Sequence, residues 1–206
     1  MIEHLPALQV VIPLMAAPLS ALFRPGRAVW LLTLSASGFC LISAALLLNQ
    51  VISQGAISYP MGNWPAPWGI EYRIDIVNAY MLLIVSLIGF VVAGFARPVV
   101  EQRIRLPESK QPWFYTAYLL CLTGLLGMII TGDAFNVFVF LEISSLSSYV
   151  LISMGHDRRA LTAAYQYLIM GTIGATFILI GIGFLYVMTG TLNMADLAAR
   201  LPAVAD

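Results

Sequence analysis

The chain has 206 residues, of which 60% are hydrophobic and only 10% charged, split evenly between 10 acidic and 10 basic side chains. Soluble domains carry about 25% charged residues, so this composition excludes an ordinary soluble globule, a disordered chain and a nucleic-acid binder with a broad basic face. Together with a mean hydropathy of +0.89, it predicts an all-α polytopic membrane protein.

A spanning helix needs about 20 mostly apolar residues, and six stretches qualify. The first, Leu5–Phe23, contains Pro13 and Pro18. It is preceded by Glu3 and His4 rather than the cationic start of a signal peptide. The second is Ala28–Leu48. Its Cys40, like Cys121 further on, reads as a small buried hydrophobe, and the spacing of the two suggests neither a metal site nor a disulfide framework. An external segment follows. Turn residues cluster over Ser58–Pro65, after which Ile70, Tyr72 and Ile74 alternate with Glu71, Arg73 and Asp75. A period of two is a strand signal, so a short external β-hairpin is expected, with Trp64, Trp68 and Tyr72 at the aqueous interface.

The third span is Ile76–Ala96, the fourth Trp113–Gly132, the fifth Ala134–Met154 and the sixth Leu161–Met188. The fourth and fifth nearly touch, which predicts a tight helical hairpin. The sixth exceeds a bilayer's thickness and is expected to tilt or project. Gly124 and Gly127 in the fourth span, and Gly171, Gly174, Ala175 and Gly181 in the sixth, are small residues of the kind that let helices approach closely.

The charges sit in the connections. Arg24 and Arg27, then Arg97, Arg103, Arg105 and Lys110, then Arg158 and Arg159 put eight basic residues on one side; Arg73 and Arg200 are the two on the other. The positive-inside rule makes the first, third and fifth connections cytoplasmic and puts both chain ends outside. The third connection, Arg97 to Pro112, reads as an orienting loop that touches anionic lipid.

One ionisable acid or base remains inside the six spans, Glu142. Eight residues beyond Ala134, it lies about 12 Å along its helix, near the midplane of a hydrocarbon core about 30 Å thick. An ionised side chain there costs about 3 kcal/mol on insertion scales. Protonation removes that cost, so the position suits a group that takes up and releases a proton. The competing interpretation is a structural glutamate bonded to neighbours such as Ser145 and Tyr149. Other polar groups carry weaker signals. Asp133 is first a helix N-cap, and His156 first a solvated helix end, although a histidine there can pass protons. Gln166, with Tyr167, Thr172 and Thr176, is first an interhelical hydrogen-bonding group.

The run Thr131–Gly132–Asp133–Ala134–Phe135–Asn136–Val137–Phe138–Val139–Phe140–Leu141–Glu142, continued by Ile143–Ser144–Ser145–Leu146–Ser147–Ser148–Tyr149, resembles the antiporter-like subunits of complex I relatives. Among these it looks most like the D-type subunit of the Mrp-type multisubunit sodium/proton antiporter. Gly62–Ile70, Tyr165–Leu168 and Leu185–Met194 agree. The resemblance implies that Glu142 is a proton-handling carboxylate, paired with a lysine on a later, broken helix, within inverted helix bundles. It divides the chain into three leading helices with hairpin and cytoplasmic loop (1–112) and the start of a first inverted repeat (113–206). No lysine follows Lys110, and many relatives have lysine where Gln166 stands. The chain alone is therefore expected to lack a complete conducting path.

The expected function is a proton-conducting subunit of a monovalent cation (Na+)/proton antiporter in the cell membrane, a transporter part rather than an enzyme. Its expected partners are other membrane subunits, protons, sodium and the lipid bilayer. No cofactor, metal or nucleic acid is expected. The alternatives are an N-like subunit of NADH:quinone oxidoreductase or a membrane hydrogenase, and a truncated, non-conducting structural piece.

Overall fold

A computed structural model of the chain describes residues 4–23, 26–104 and 106–204. Arg24 and Arg105, two of the eight basic residues counted above, lie outside them. Six helices are long and apolar enough to cross a membrane among the described residues: α1 (Leu5–Leu22), α2 (Arg27–Gln54), α3 (Ile76–Pro98), α4 (Gln111–Ile130), α5 (Ala134–Ser153) and α6 (Arg158–Thr189). Between α2 and α3, β1 (Ile57–Pro60) pairs antiparallel with β2 (Glu71–Ile74). A short helix, α7 (Met194–Val204), follows α6. The chain is a multi-pass membrane protein with one small two-stranded sheet.

The helices begin and end for local reasons. Asp75 and Asp133 cap α3 and α5, each accepting the amide of the third residue on (Asn78 and Asn136) at 2.8 Å. Gly190, at φ 70° in the left-handed region, ends α6. Several elements differ from the sequence-based expectation. α2 runs six residues past Leu48 to Gln54, because hydropathy falls at Asn49 while helix hydrogen bonding continues. Ser58–Pro60, expected to turn, is strand β1. Residues 194–204, expected as a tail, form α7, where Arg200 bonds Asp196 one turn back at 2.9 Å.

Small residues bring the helices together. Ala16 and Ala17 of α1 and Ala36 of α2 pack with Leu119 of α4. The larger core joins Val10, Cys40, Leu47, Leu82, Leu122, Leu126 and Phe140 across α1 to α5. Within it Gln9 is fully buried, and its amide donates to the Cys40 carbonyl and the Ser86 hydroxyl, both at 3.1 Å. α6 differs from the rest. Its buried residues are Ala164, Ala175 and Thr189, and it presents Met170, Phe177 and Phe184 outward.

The hairpin end of the bundle is tied together by main-chain bonds. Gly132 N–H, in the α4–α5 turn, donates to the Glu71 carbonyl, and the Gly132 carbonyl accepts from Met194 N–H, both at 2.8 Å. Ala134 N–H donates to the Leu192 carbonyl at 2.9 Å. His4 reaches the Tyr59 hydroxyl at 2.9 Å. The start of α1, the hairpin, the α4–α5 turn and the α6–α7 connection therefore share one face of the molecule.

Candidate functional site

The α4–α5 seam fixes how α5 is rotated. A Cβ on Gly124 would stand 2.6 Å from the Phe140 carbonyl oxygen and the Ser144 nitrogen, and one on Gly127 would enter the Phe140 ring. Glycine at both places lets the two backbones close. Ser148 on the same side of α5 meets Cys121 of α4 at 3.4 Å. With Phe140, Ser144 and Ser148 on α4, helical geometry of 3.6 residues per turn sets Glu142 about 200° round from Phe140, on the opposite side. Tyr149, seven residues on, returns to that side. Its ring lies edge-on to Tyr167 of α6, with centroids 5.0 Å apart, and its hydroxyl occupies the space over Gly171 where a Cβ would be.

Glu142 therefore lies on the side of α5 that carries its contact with α6, near mid-span. Ser153, at the other end of α5, is eleven residues away, about 16 Å. Glu142 is half-buried, and no hydrogen bond or ion pair among the described residues engages its carboxylate. Ser145 flanks it and is also half-buried. The hydroxyls of Ser147 and Ser148 bond the carbonyls of Ile143 and Ser144 in their own helix, at 2.7 and 2.8 Å. Of the small residues expected to bring helices against α6, Gly171 and Ala175 do so, while Gly174 and Gly181 face open space.

The weaker candidates fall elsewhere. Asp133 is the N-cap of α5; burial pushes its carboxyl above the usual aspartate range, against the pull of the Asn136 and Phe135 amides. His156 is exposed in the turn between α5 and α6, on the far side from the hairpin. Gln166 is exposed on α6, about 200° round from the buried Ala164 that faces α5. The structure does not bring it to Glu142. Thr172 and Thr176 bond carbonyls of α6 itself, at 2.8 Å, so the interhelical bonding expected of them is absent among the described residues.

A second acid in the fold, which no sequence motif singles out, is buried outright. Glu71 is only 7% exposed. Its Oε1 accepts from the Ser58 hydroxyl at 3.0 Å, and its Oε2 from the Asn193 side-chain amide at 3.1 Å. The alternation along β2 predicts a strand without singling out Glu71, and Tyr72 is expected at the aqueous interface. Instead Tyr72 is 5% exposed, packed in the core and bridged to Thr131. Glu71 is covered because Asn193, 122 residues further along the chain, folds back onto the start of the strand, while Arg73 on the same face stays exposed. Trp64 and Trp68 are exposed, as expected.

Residues 131–205 match the family described as NADH:quinone oxidoreductase/Mrp antiporter, TM. The N-type subunit of NADH-quinone oxidoreductase from Desulforudis audaxviator is 43% identical over all of this chain and 41% of its own length. The D-type subunit of the Na(+)/H(+) antiporter from Alkalihalophilus pseudofirmus is 33% identical over 80% of this chain and 33% of its own. A chain in the membrane-bound sulfane sulfur reductase, an archaeal respiratory membrane complex, superposes with a TM-score of 0.88 at 32% identity, over 97% of this chain and 40% of that one. This chain thus spans a third to two fifths of the length of these relatives, which are subunits of multisubunit membrane assemblies.

Proposed function

Because the chain belongs to the antiporter-like membrane subunits of the NADH:quinone oxidoreductase/Mrp antiporter family, we propose that it is a proton-handling subunit in which Glu142 binds and releases the transported proton. One observation carries this reading. The only acid inside the spans stands near the middle of α5, half-buried and free of hydrogen-bond partners among the described residues. A carboxylate so placed is destabilised when charged and is not committed to a structural contact. Tyr149 and Ser145 are its polar neighbours along the helix. Asp133, His156 and Gln166 take no direct part. Residues 113–206 begin the first inverted repeat, and 1–112 lead into it. The basic connections face the cytoplasm, with the hairpin face outside.

The host assembly has two readings. The resemblance of the sequence as a whole to D-type subunits favours the cation/proton antiporter, with sodium as the coupled ion, while the fifth-helix motif is common to both hosts. The 43% identity to an N-type subunit, against 33% to a D-type one, favours a proton-translocating respiratory complex. Glu142 has the same task in both. Glu142→Gln in the full-length, assembled complex, measured as proton movement in membrane vesicles, tests the assignment. Loss of proton movement with normal assembly supports it, and unchanged movement sinks it. Cation dependence against NADH dependence of that movement separates the hosts.

A further inference from the structure

A cleft of about 620 Å³ opens at the end of the bundle away from the hairpin. Its walls come from the α3–α4 connection, with Leu106 and Lys110; from the start of α4, with Trp113; and from the α5–α6 turn and start of α6, with Met154, His156 and Leu161. α4 and α6 begin here and α5 ends here, so the cleft lies at the level where spanning helices leave the hydrocarbon. Among the described residues Lys110 is its charged wall residue, and the His156 ring and Ser153 add polar groups. The neighbouring acids Glu108 and Asp157 are outside the lining. The N-terminus of α6 adds partial positive charge, and its N-cap position, Asp157, makes no side-chain capping bond; the first amide of α4, Gln111 N–H, is already bonded to the Glu108 carbonyl. On the membrane side, Trp113 is 58% and Leu161 62% exposed.

We propose that this cleft binds the headgroup of an anionic phospholipid. Its phosphate sits against Lys110 and His156, and its acyl chains run down over Trp113 and Leu161. The positive wall selects an anion. The apolar flank continuing into the membrane selects a lipid over a free anion, because inorganic phosphate leaves that flank unused. The site is independent of Glu142 and of any proton movement.

The test is lipid retention by the full-length protein in detergent, read by native mass spectrometry with phosphatidylglycerol or phosphatidylcholine added. The wild type is expected to retain phosphatidylglycerol in preference to phosphatidylcholine. Lys110→Gln should weaken that retention about fivefold, the effect of one cationic side chain at a membrane surface. Lys110→Arg should restore it, and His156→Ala should weaken it further in the Lys110→Gln background. Equal retention of the two lipids, indifference to Lys110→Gln, or displacement of the lipid by inorganic phosphate alone would overturn the proposal.

Discussion

Two glutamates, one at each extreme of engagement, divide the molecule. Glu71 lies outside the spans yet is almost fully buried, with each carboxylate oxygen held by a side chain from elsewhere in the fold. Glu142 lies inside a span yet is only half-buried and unheld among the described residues. Depth in the sequence pattern and engagement in the structure run opposite ways. A carboxylate fixed by two donors joins segments of chain. One facing a helix seam without a partner among the described residues is committed to no contact in the fold.

Substitution separates the two roles, and the largest effect belongs to Glu142. Glu142→Gln in the assembled full-length complex should lower proton movement about a hundredfold, the lower range for removing a proton-transfer group, with the thermal midpoint barely moved. Next comes the wall that turns Glu142 away from α4. Gly127→Leu forces a side chain into Phe140 and should destabilise the protein by about 3 kcal/mol, seen as a lower unfolding midpoint in detergent. Glu71→Ala strands the buried Asn193 side chain, at a cost of about 2 kcal/mol; a drop in proton movement at unchanged stability would break the contrast between the two acids.

The smallest effect belongs to Asp133. Its carboxyl is raised by burial, so the folded state holds the proton more tightly than the unfolded state. Its contribution to stability therefore falls as pH rises from the ordinary aspartate range through the raised value, and the penalty is gone below that range. Asp133→Asn keeps the N-cap and removes this slope. Unfolding midpoints of the variant and wild type should converge at acid pH, with the variant equal or higher at neutral pH.

Much of this was legible from local sequence. Six apolar runs gave six helices because bilayer-spanning segments declare themselves by length alone. Gly124 and Gly127 signalled a close seam, and Glu142 stood out as the lone acid in a span. Asp133 was readable as a cap from its place before an apolar run. Glu71 was not readable, since its burial depends on Asn193, and no local pattern reports a contact across 122 residues. Gln166 failed differently. Its spacing fits a helix, but which side of α6 meets α5 is decided by Ala164, Gly171 and Ala175.

The bonds converging on Gly132 bear on mechanics. They fasten β2, the α4–α5 turn and the start of α7 at one end of the bundle, so any tilt of α5 would pivot there. A tilt of about 5° about that point displaces the level of Glu142, about 12 Å away, by roughly 1 Å. The same tilt displaces the far tip of α5, about 30 Å away, by roughly 2.5 Å. Any such tilt would be felt least at the hairpin end and most at the far tip of α5, although lipid binding in the cleft requires no such movement.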